Sequence, residues 1–253
     1  MMPVLFKFGP FTIYAYGLLI GLGIVLGVMF LTHYAKKDLN VQAELINQLL
    51  VYLVVAGFVG GKVLLIAEDP KKYLASPSSL LSGSGFVFYG SLLFCFGVLF
   101  WFLKKHRITK KPFLDLIAMV TCLIHVFGRL GCFMAGCCYG TPFDGDWAVT
   151  FTHPKSAAPL HCALHPVQLY ESFSIAVLLL VLYFIYRNRK FTGQIFALYL
   201  MGYPLVRFFT EMYRGDTERG LLLNGNISHS QLISVGLFLL GVFLYMKWRK
   251  PAS

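Results

Sequence analysis

The sequence predicts an all-α polytopic membrane protein with about seven transmembrane helices. Three observations lead there. The composition is 57% hydrophobic and only 13% charged, with a mean hydropathy of +0.69. Seven apolar stretches each approach the roughly 20 residues that a helix needs to cross the hydrocarbon core. The basic residues are heavy on one set of connections and light on the other. The stretches run roughly over 11–32, 45–66, 86–103, 113–133, 167–186, 194–212 and 228–246. No separate soluble domain or long internal repeat interrupts them, so 1–253 reads as one transmembrane domain with an external loop at about 141–165.

The charges set the orientation. Lys36 and Lys37 follow the first stretch, and Lys104, Lys105, Arg107, Lys110 and Lys111 follow the third. Arg187, Arg189 and Lys190 follow the fifth, and Lys247, Arg249 and Lys250 the seventh. These are 13 of the 22 basic residues; the opposite connections carry six, namely Lys7, Lys71, Lys72, Lys155, Arg214 and Arg219. The positive-inside rule then puts the N-terminus outside and the C-terminus in the cytoplasm. The net charge of +11 is a topology signal with some attraction to anionic lipid, and no nucleic-acid partner is expected. The first stretch lacks a basic leader and a small-residue cleavage site, which makes it a retained helix.

Taken in order, the first stretch carries Tyr14, suited to an interfacial aromatic belt, and Tyr16 beside Gly17, placed to face inward. The second ends in Gly57, Gly60 and Gly61, a spacing suited to close helix contact. Lys62 follows; it either snorkels to the surface or lends positive charge to a site. A wet loop from Glu68 leads through Ser- and Gly-rich residues 76–85. The third stretch opens on Tyr89-Gly90-Ser91 and contains Cys95, a small packing residue. The fourth holds Cys122 and His125, the latter read as a satisfied buried histidine. It then enters the stretch Gly128 to Gly140, with Arg129, four glycines and Cys132, Cys137 and Cys138 in thirteen residues. An arginine inside such a segment marks a functional site by default.

The external loop holds Asp144, Asp146, His153, Lys155, His161 and Cys162, and loops of this length are often functional. Proline at 166 suits a first helical turn. His165, Gln168 and Glu171 then fall on one face, and a glutamate in an apolar helix needs a partner. The sixth stretch places Arg207 and Glu211 four residues apart, with Pro204 as a kink point. The seventh starts at Ser228-His229-Ser230-Gln231.

With the topology applied, every strong polar mark in the apolar core falls in the outer half of the membrane. Tyr16, Lys62, Tyr89, Arg129, His165 to Glu171, Arg207, Glu211 and Gln231 therefore point to one cavity open to the outer leaflet. Two arginines in a cavity are a grip for phosphate. At that depth the phosphate belongs to a phospholipid headgroup, and cationic stabilisation suits a reaction in which it departs.

At these residues the chain resembles the prolipoprotein diacylglyceryl transferase family of bacterial inner-membrane enzymes, over nearly its whole length. The motifs are Phe8-Gly9-Pro10 leading to Tyr16-Gly17, Gly60-Gly61-Lys62 for the family's Gly-Gly-Arg, and Gly128-Arg129-Leu130-Gly131 closed by Gly140. They continue with His165-Pro166 and Gln168-Leu169-Tyr170-Glu171, with Gly202-Tyr203, Arg207, Glu211 and Arg214, and with Gln231. The resemblance implies transfer of the diacylglyceryl group of phosphatidylglycerol to the lipobox cysteine of a preprolipoprotein signal peptide. It implies that Arg129 and Arg207 hold the phosphate, that Glu211 orients an arginine, and that Tyr16 and Tyr203 line the site. No metal or cofactor is implied. The chain departs from the pattern at Tyr89, where the family has histidine, and at Cys132 and Cys137, where it has asparagine and glutamate. Tyr89 is then the first candidate to stand in for the histidine.

The cysteines Cys132, Cys137, Cys138 and Cys162 leave three readings open. They are small packing residues, or Cys162 pairs with Cys137 or Cys138 in an oxidising compartment, or they form a nucleophile or metal cluster. Their spacing matches no paired C-x2-C zinc pattern, which makes metal the weakest branch of the three readings. Two alternative functions stand beside the transferase. One is a phospholipid-dependent transferase with another thiol or hydroxyl acceptor, acting through a cysteine. The other is a non-catalytic lipid-binding or transport protein.

Overall fold

The computed structural model describes residues 2–9, 11–70, 73, 87–216, 221–222 and 227–249. Pro10, Lys71, Lys72, residues 76–85, Arg219 and Lys250 lie outside them. Among the described residues there are seven helices. They are α1 (Ala15–Leu39), α2 (Ala43–Glu68), α3 (Phe88–Lys105), α4 (Lys110–Ala135), α5 (Val167–Arg187), α6 (Gln194–Glu211) and α7 (His229–Arg249). Five of them, α1, α2, α4, α5 and α7, are long and apolar enough to cross a membrane. Large apolar side chains such as Phe173, Leu180, Phe184, Leu239 and Phe243 are exposed, as a lipid-facing surface requires.

The first apolar stretch starts differently from the sequence expectation. Residues 11–14 are not helical: β1 (Val4–Phe8) and β2 (Phe11–Tyr14) form an antiparallel hairpin, and α1 begins only at Ala15. Both segments are rich in aromatic and β-branched residues, which favour strands. Two further ribbons are short: β3 (Val149–Thr150) with β4 (Ala163–Leu164), and β5 (Leu221–Leu222) with β6 (Ile227–Ser228). The first of these organises the loop between α4 and α5. Phe151, Ala158 and Leu164 form a small buried core there, with Phe133, Tyr139 and Val149 packed against it.

The chain divides into two compact units, residues 32–113 and residues 1–31 with 114–253. In the smaller unit α2 packs on α3 at a glycine crossing. A Cβ on Gly60 would lie 2.5 Å from the Gly90 carbonyl, so any side chain would force the helices apart. The Ser91 hydroxyl donates to the Gly57 carbonyl at 2.7 Å across the same crossing.

In the larger unit, α4 and α6 run opposite to α5 and α7. One end is fixed by Asp115, fully buried on α4, which accepts from the amides of Gly193 at 2.8 Å and Phe196 at 2.9 Å. It caps the N-terminus of α6 from a neighbouring helix, satisfying amides that the helix cannot pair itself. The other end carries the polar groups described next.

Candidate active site

Glu171 is the hub. It stands one turn into α5, and its side chain is 1% exposed. Its Oε1 lies 3.0 Å from Arg129 Nη2 on α4, and its Oε2 lies 3.6 Å from Arg207 Nη1 on α6. A lone carboxylate at this depth would be very costly; two guanidinium partners make it tolerable. Arg207 also pairs with Glu211 one turn further along α6, and Arg214 reaches Glu211 at 3.9 Å. Beyond the end of α6, Arg214 Nε donates to Asp216 at 2.8 Å. Burial works against the Arg214 charge. The hydrogen bonds to Asp216, with Cys138 and Glu211 nearby, outweigh it and hold the guanidinium above its ordinary pKa.

Three arginines are thus threaded on three carboxylates. Such a chain fixes guanidinium orientation while leaving donors free for a ligand. Arg207 Nη1 is one of these: it is buried and has no hydrogen-bond acceptor among the described residues. Its other terminal nitrogen, Nη2, donates to Ser230 Oγ on α7 at 3.4 Å. His125, one turn before Arg129, accepts from Arg129 Nε at 3.3 Å and lies 3.6 Å from Glu171. The Tyr203 ring is 5.0 Å from His125, and its hydroxyl interacts with Glu171, Arg129 and Arg207.

Next to this hub the chain leaves α4 and folds back on itself. Gly136 has φ +77, and a Cβ there would lie 2.0 Å from Ser156 Oγ. Cys138 has φ +57, a left-handed conformation rare outside glycine. The turn brings the sulfurs of Cys132, Cys137 and Cys138 within 4.8 Å of one another. Hydrogen bonds with the Cys132 and Cys137 thiols, helped by Arg214 and Arg129, hold Cys138 well below the ordinary thiol pKa. The same contacts with Cys132 and Cys138 push Cys137 up. All six cysteines are free, so Cys162 makes no disulfide with Cys137 or Cys138.

The loop is tied to the hub. Gln168, buried on α5, donates from Nε2 to the Cys137 carbonyl at 2.8 Å. Gly140 bridges to Arg214 in antiparallel fashion, and a Cβ on it would lie 2.3 Å from the His165 carbonyl. His165 itself stacks on Phe143 at 4.0 Å and contacts the Tyr170 hydroxyl at 3.2 Å. With Trp147 and Tyr213 it lines an aromatic cavity of about 420 Å³.

Of the residues the sequence singled out, the structure therefore gathers Arg129, Glu171, Tyr203, Arg207, Glu211 and Arg214, with Cys132 near the end of α4, Gln168 at the start of α5, and Cys137 and Gly140 in the loop between them. Gly131 packs against Tyr16, while Gly128 has open space around it. Gln231 forms a capping box at the start of α7: its Oε1 accepts from the Ser228 amide at 3.0 Å, and Ser228 Oγ accepts from its amide at 3.2 Å. Lys62, buried in α2, and Tyr89, half exposed at the start of α3, belong to the other unit. His125, read from the sequence as a satisfied buried histidine, joins the cluster, as do Ser230 and Asp216, which were not singled out. His125 sits four residues before Arg129, a helical spacing that did carry the signal; the other two carried none.

The family model for prolipoprotein diacylglyceryl transferase matches residues 3–247. A phosphatidylglycerol–prolipoprotein diacylglyceryl transferase of Clostridium tetani is 35% identical over 246 residues, covering 97% of each chain. A protein of Clostridium perfringens described as phosphatidylglycerol–prolipoprotein diacylglyceryl transferase 2 is 33% identical over 250 residues, covering 95% of this chain and 94% of its own. One from Bordetella bronchiseptica is 33% identical over 260 residues, covering 99% and 97%.

Proposed function

Since the chain belongs to the prolipoprotein diacylglyceryl transferase family, we propose that it transfers the diacylglyceryl group of phosphatidylglycerol to the lipobox cysteine of prolipoproteins. Glycerol phosphate is the leaving group. The observation that carries the mechanism is Glu171 standing between Arg129 and Arg207, with Arg207 Nη1 buried and lacking an acceptor among the described residues. A phosphate seated against the two guanidinium groups supplies that acceptor. As the glyceryl C–O bond breaks, charge builds on the phosphate oxygen, and the preset arginines stabilise it without reorganising. Glu171, Glu211 and Asp216 hold the arginines in place. The apolar groove between α6 and α7, lined by Pro204, Leu205, Phe208, Val235, Phe238 and Leu239, suits an acyl chain.

In this reading the N-terminus lies outside and the C-terminus in the cytoplasm of a bacterial inner membrane. The excess of basic residues on one set of connections supports that orientation. The site then opens to the outer leaflet, where the signal peptide of a preprolipoprotein presents its thiol.

The test supplies headgroup-labelled phosphatidylglycerol and a lipobox peptide and follows release of labelled glycerol phosphate. Release should depend on the peptide and vanish in Arg129→Ala. In Arg207→Lys, which loses a bidentate grip worth about 1.5–3 kcal/mol, turnover should fall roughly 10- to 100-fold. Release by Arg129→Ala at the unaltered rate would refute the assignment of the phosphate site. Lipid retention with no release from the unaltered protein would favour a lipid-binding role instead.

A further inference from the structure

We propose that Cys132, Cys137 and Cys138 form a zinc site whose open fourth position takes the acceptor thiol and activates it. The proposal rests on the transferase reading above. Its first support is geometry. Each pair of sulfurs lies within 4.8 Å, against about 3.8 Å between two sulfurs that share a tetrahedral zinc at about 2.3 Å. Small side-chain rotations close that gap.

The convergence is built into the fold. Neighbours in sequence such as Cys137 and Cys138 ordinarily point apart. Here the left-handed backbone of Gly136 and Cys138 turns both toward Cys132, and a non-glycine residue adopts that conformation at a cost that its surroundings must sustain. Two bonds from outside the turn hold it: Gln168 to the Cys137 carbonyl at 2.8 Å, and the Ala157 amide to the Ala135 carbonyl at 3.2 Å.

The number of sulfurs argues for a metal over a disulfide. A disulfide would use two and strand the third, whereas all three meet at one point, and the exposed Cys162 is not among them. Charge agrees. Three thiolates around Zn²⁺ leave one net negative charge, and Arg129 and Arg214 both interact electrostatically with Cys138. A cavity of about 400 Å³ lined by Tyr14, Tyr16, Ala135, Cys137 and Lys155 reaches the cluster at Cys137.

Three protein ligands and an open position are the arrangement of a catalytic zinc, as opposed to the closed four-ligand structural kind. A thiol that coordinates zinc is deprotonated outright, and it is the thiolate that attacks. The acceptor cysteine displaces the zinc-bound water and gives its proton to solvent. Its sulfur then forms a bond to the glyceryl methylene carbon while the C–O bond breaks. The electron pair of that bond stays on the phosphate oxygen, against Arg129 and Arg207. The thioether formed is a poor ligand; it leaves the zinc and water returns. Direct attack by one of the site's own cysteines would instead trap the lipid as a thioether that no second thiol displaces.

The experiment uses the full chain purified in detergent with phosphatidylglycerol. Elemental analysis should find about one zinc per chain. Cys162→Ser should keep it, and Cys132→Ser, Cys137→Ser and Cys138→Ser should each lose most of it. Exchange for Co²⁺ should give a thiolate-to-cobalt charge-transfer band that shifts with a lipobox peptide and stays put when serine replaces the peptide cysteine. Chelation should abolish transfer, and added zinc should restore it. Transfer at an undiminished rate by metal-free protein would overturn the proposal and leave the transferase reading standing, with Tyr89 the next candidate to activate the thiol. Absence of stoichiometric metal, or a disulfide among the three cysteines by mass spectrometry, would also overturn it. A cobalt band that responds to the peptide thiol in protein that transfers nothing would defeat the transferase reading and leave the thiol-binding metal site intact.

Discussion

Replacing Glu171 by glutamine keeps the shape of the hub and removes its charge. Glu171 neutralises Arg129 at 3.0 Å and helps neutralise Arg207 at 3.6 Å, and it is almost wholly buried. The two arginines are affected unequally. Arg207 keeps Glu211, whereas among the described residues Arg129 has no carboxylate partner but Glu171. Breaking a buried pair from one side costs about 3–5 kcal/mol, because the orphaned charge stays behind. For a chain of this size that is a fall in thermal midpoint of about 6–20 °C, at about 2–4 °C per kcal/mol. The assay is thermal unfolding in detergent, followed by size-exclusion fluorescence, in zwitterionic and in anionic lipid. Anionic lipid should soften the loss, since its phosphate takes the place of the missing carboxylate. Adding Arg129→Gln removes the orphaned charge and should recover much of the midpoint. A loss below about 1 kcal/mol, or an equal loss in the double variant, would refute the reasoning that a bridging carboxylate sustains the buried arginines.

Two other outcomes follow from the two ends of the larger unit. Asp115→Ala strips both charge-assisted acceptors from the start of α6 and should cost about 3–6 kcal/mol of stability, at about 1.5–3 kcal/mol per bond. Asp115→Asn, which keeps one acceptor, should lose about half as much, and equal midpoints for all three proteins would sink the capping argument. At the other end, Cys138 has its pKa depressed in the folded state. Its thiolate therefore persists as pH falls below the ordinary thiol pKa of about 8.5, and the stability it contributes is lost only as pH drops through the lower folded value. In metal-free protein, iodoacetamide labelling of Cys138 by mass spectrometry should stay near its plateau at about pH 6, where a free thiol has slowed more than about 100-fold. Labelling that declines in step with N-acetylcysteine would contradict the depressed value.

The helices were legible because their signal is one-dimensional. A run of apolar residues about as long as the bilayer is thick declares itself without knowledge of its neighbours. Thus α2, α3, α4, α5, α6 and α7 start and stop within about three residues of their sequence expectations. The first stretch differs at both ends: its helix runs on to Leu39, and β2 at residues 11–14 is as apolar as the helix it precedes; pairing with β1 decides its shape, and pairing is not in the composition. Arg129, Glu171 and Arg207 were legible for a related reason: a charge in an apolar run is conspicuous wherever its partner lies.

What the sequence could not hold was the partnership itself. Arg129 and Glu171 are separated by a long loop, and Ser230 is a common residue in a common helix start; only packing brought them to Arg129 and Arg207. The same holds for the cysteines. Their spacing fits no zinc pattern, because such patterns assume a regular loop, and here two left-handed residues fold the loop back on itself. The chain alone determined that it crosses a membrane and where its costly charges sit, since both follow from transfer of single residues out of water. Tertiary structure decided which charges answer which, and that three thiols meet, since those depend on distances between residues far apart in the chain.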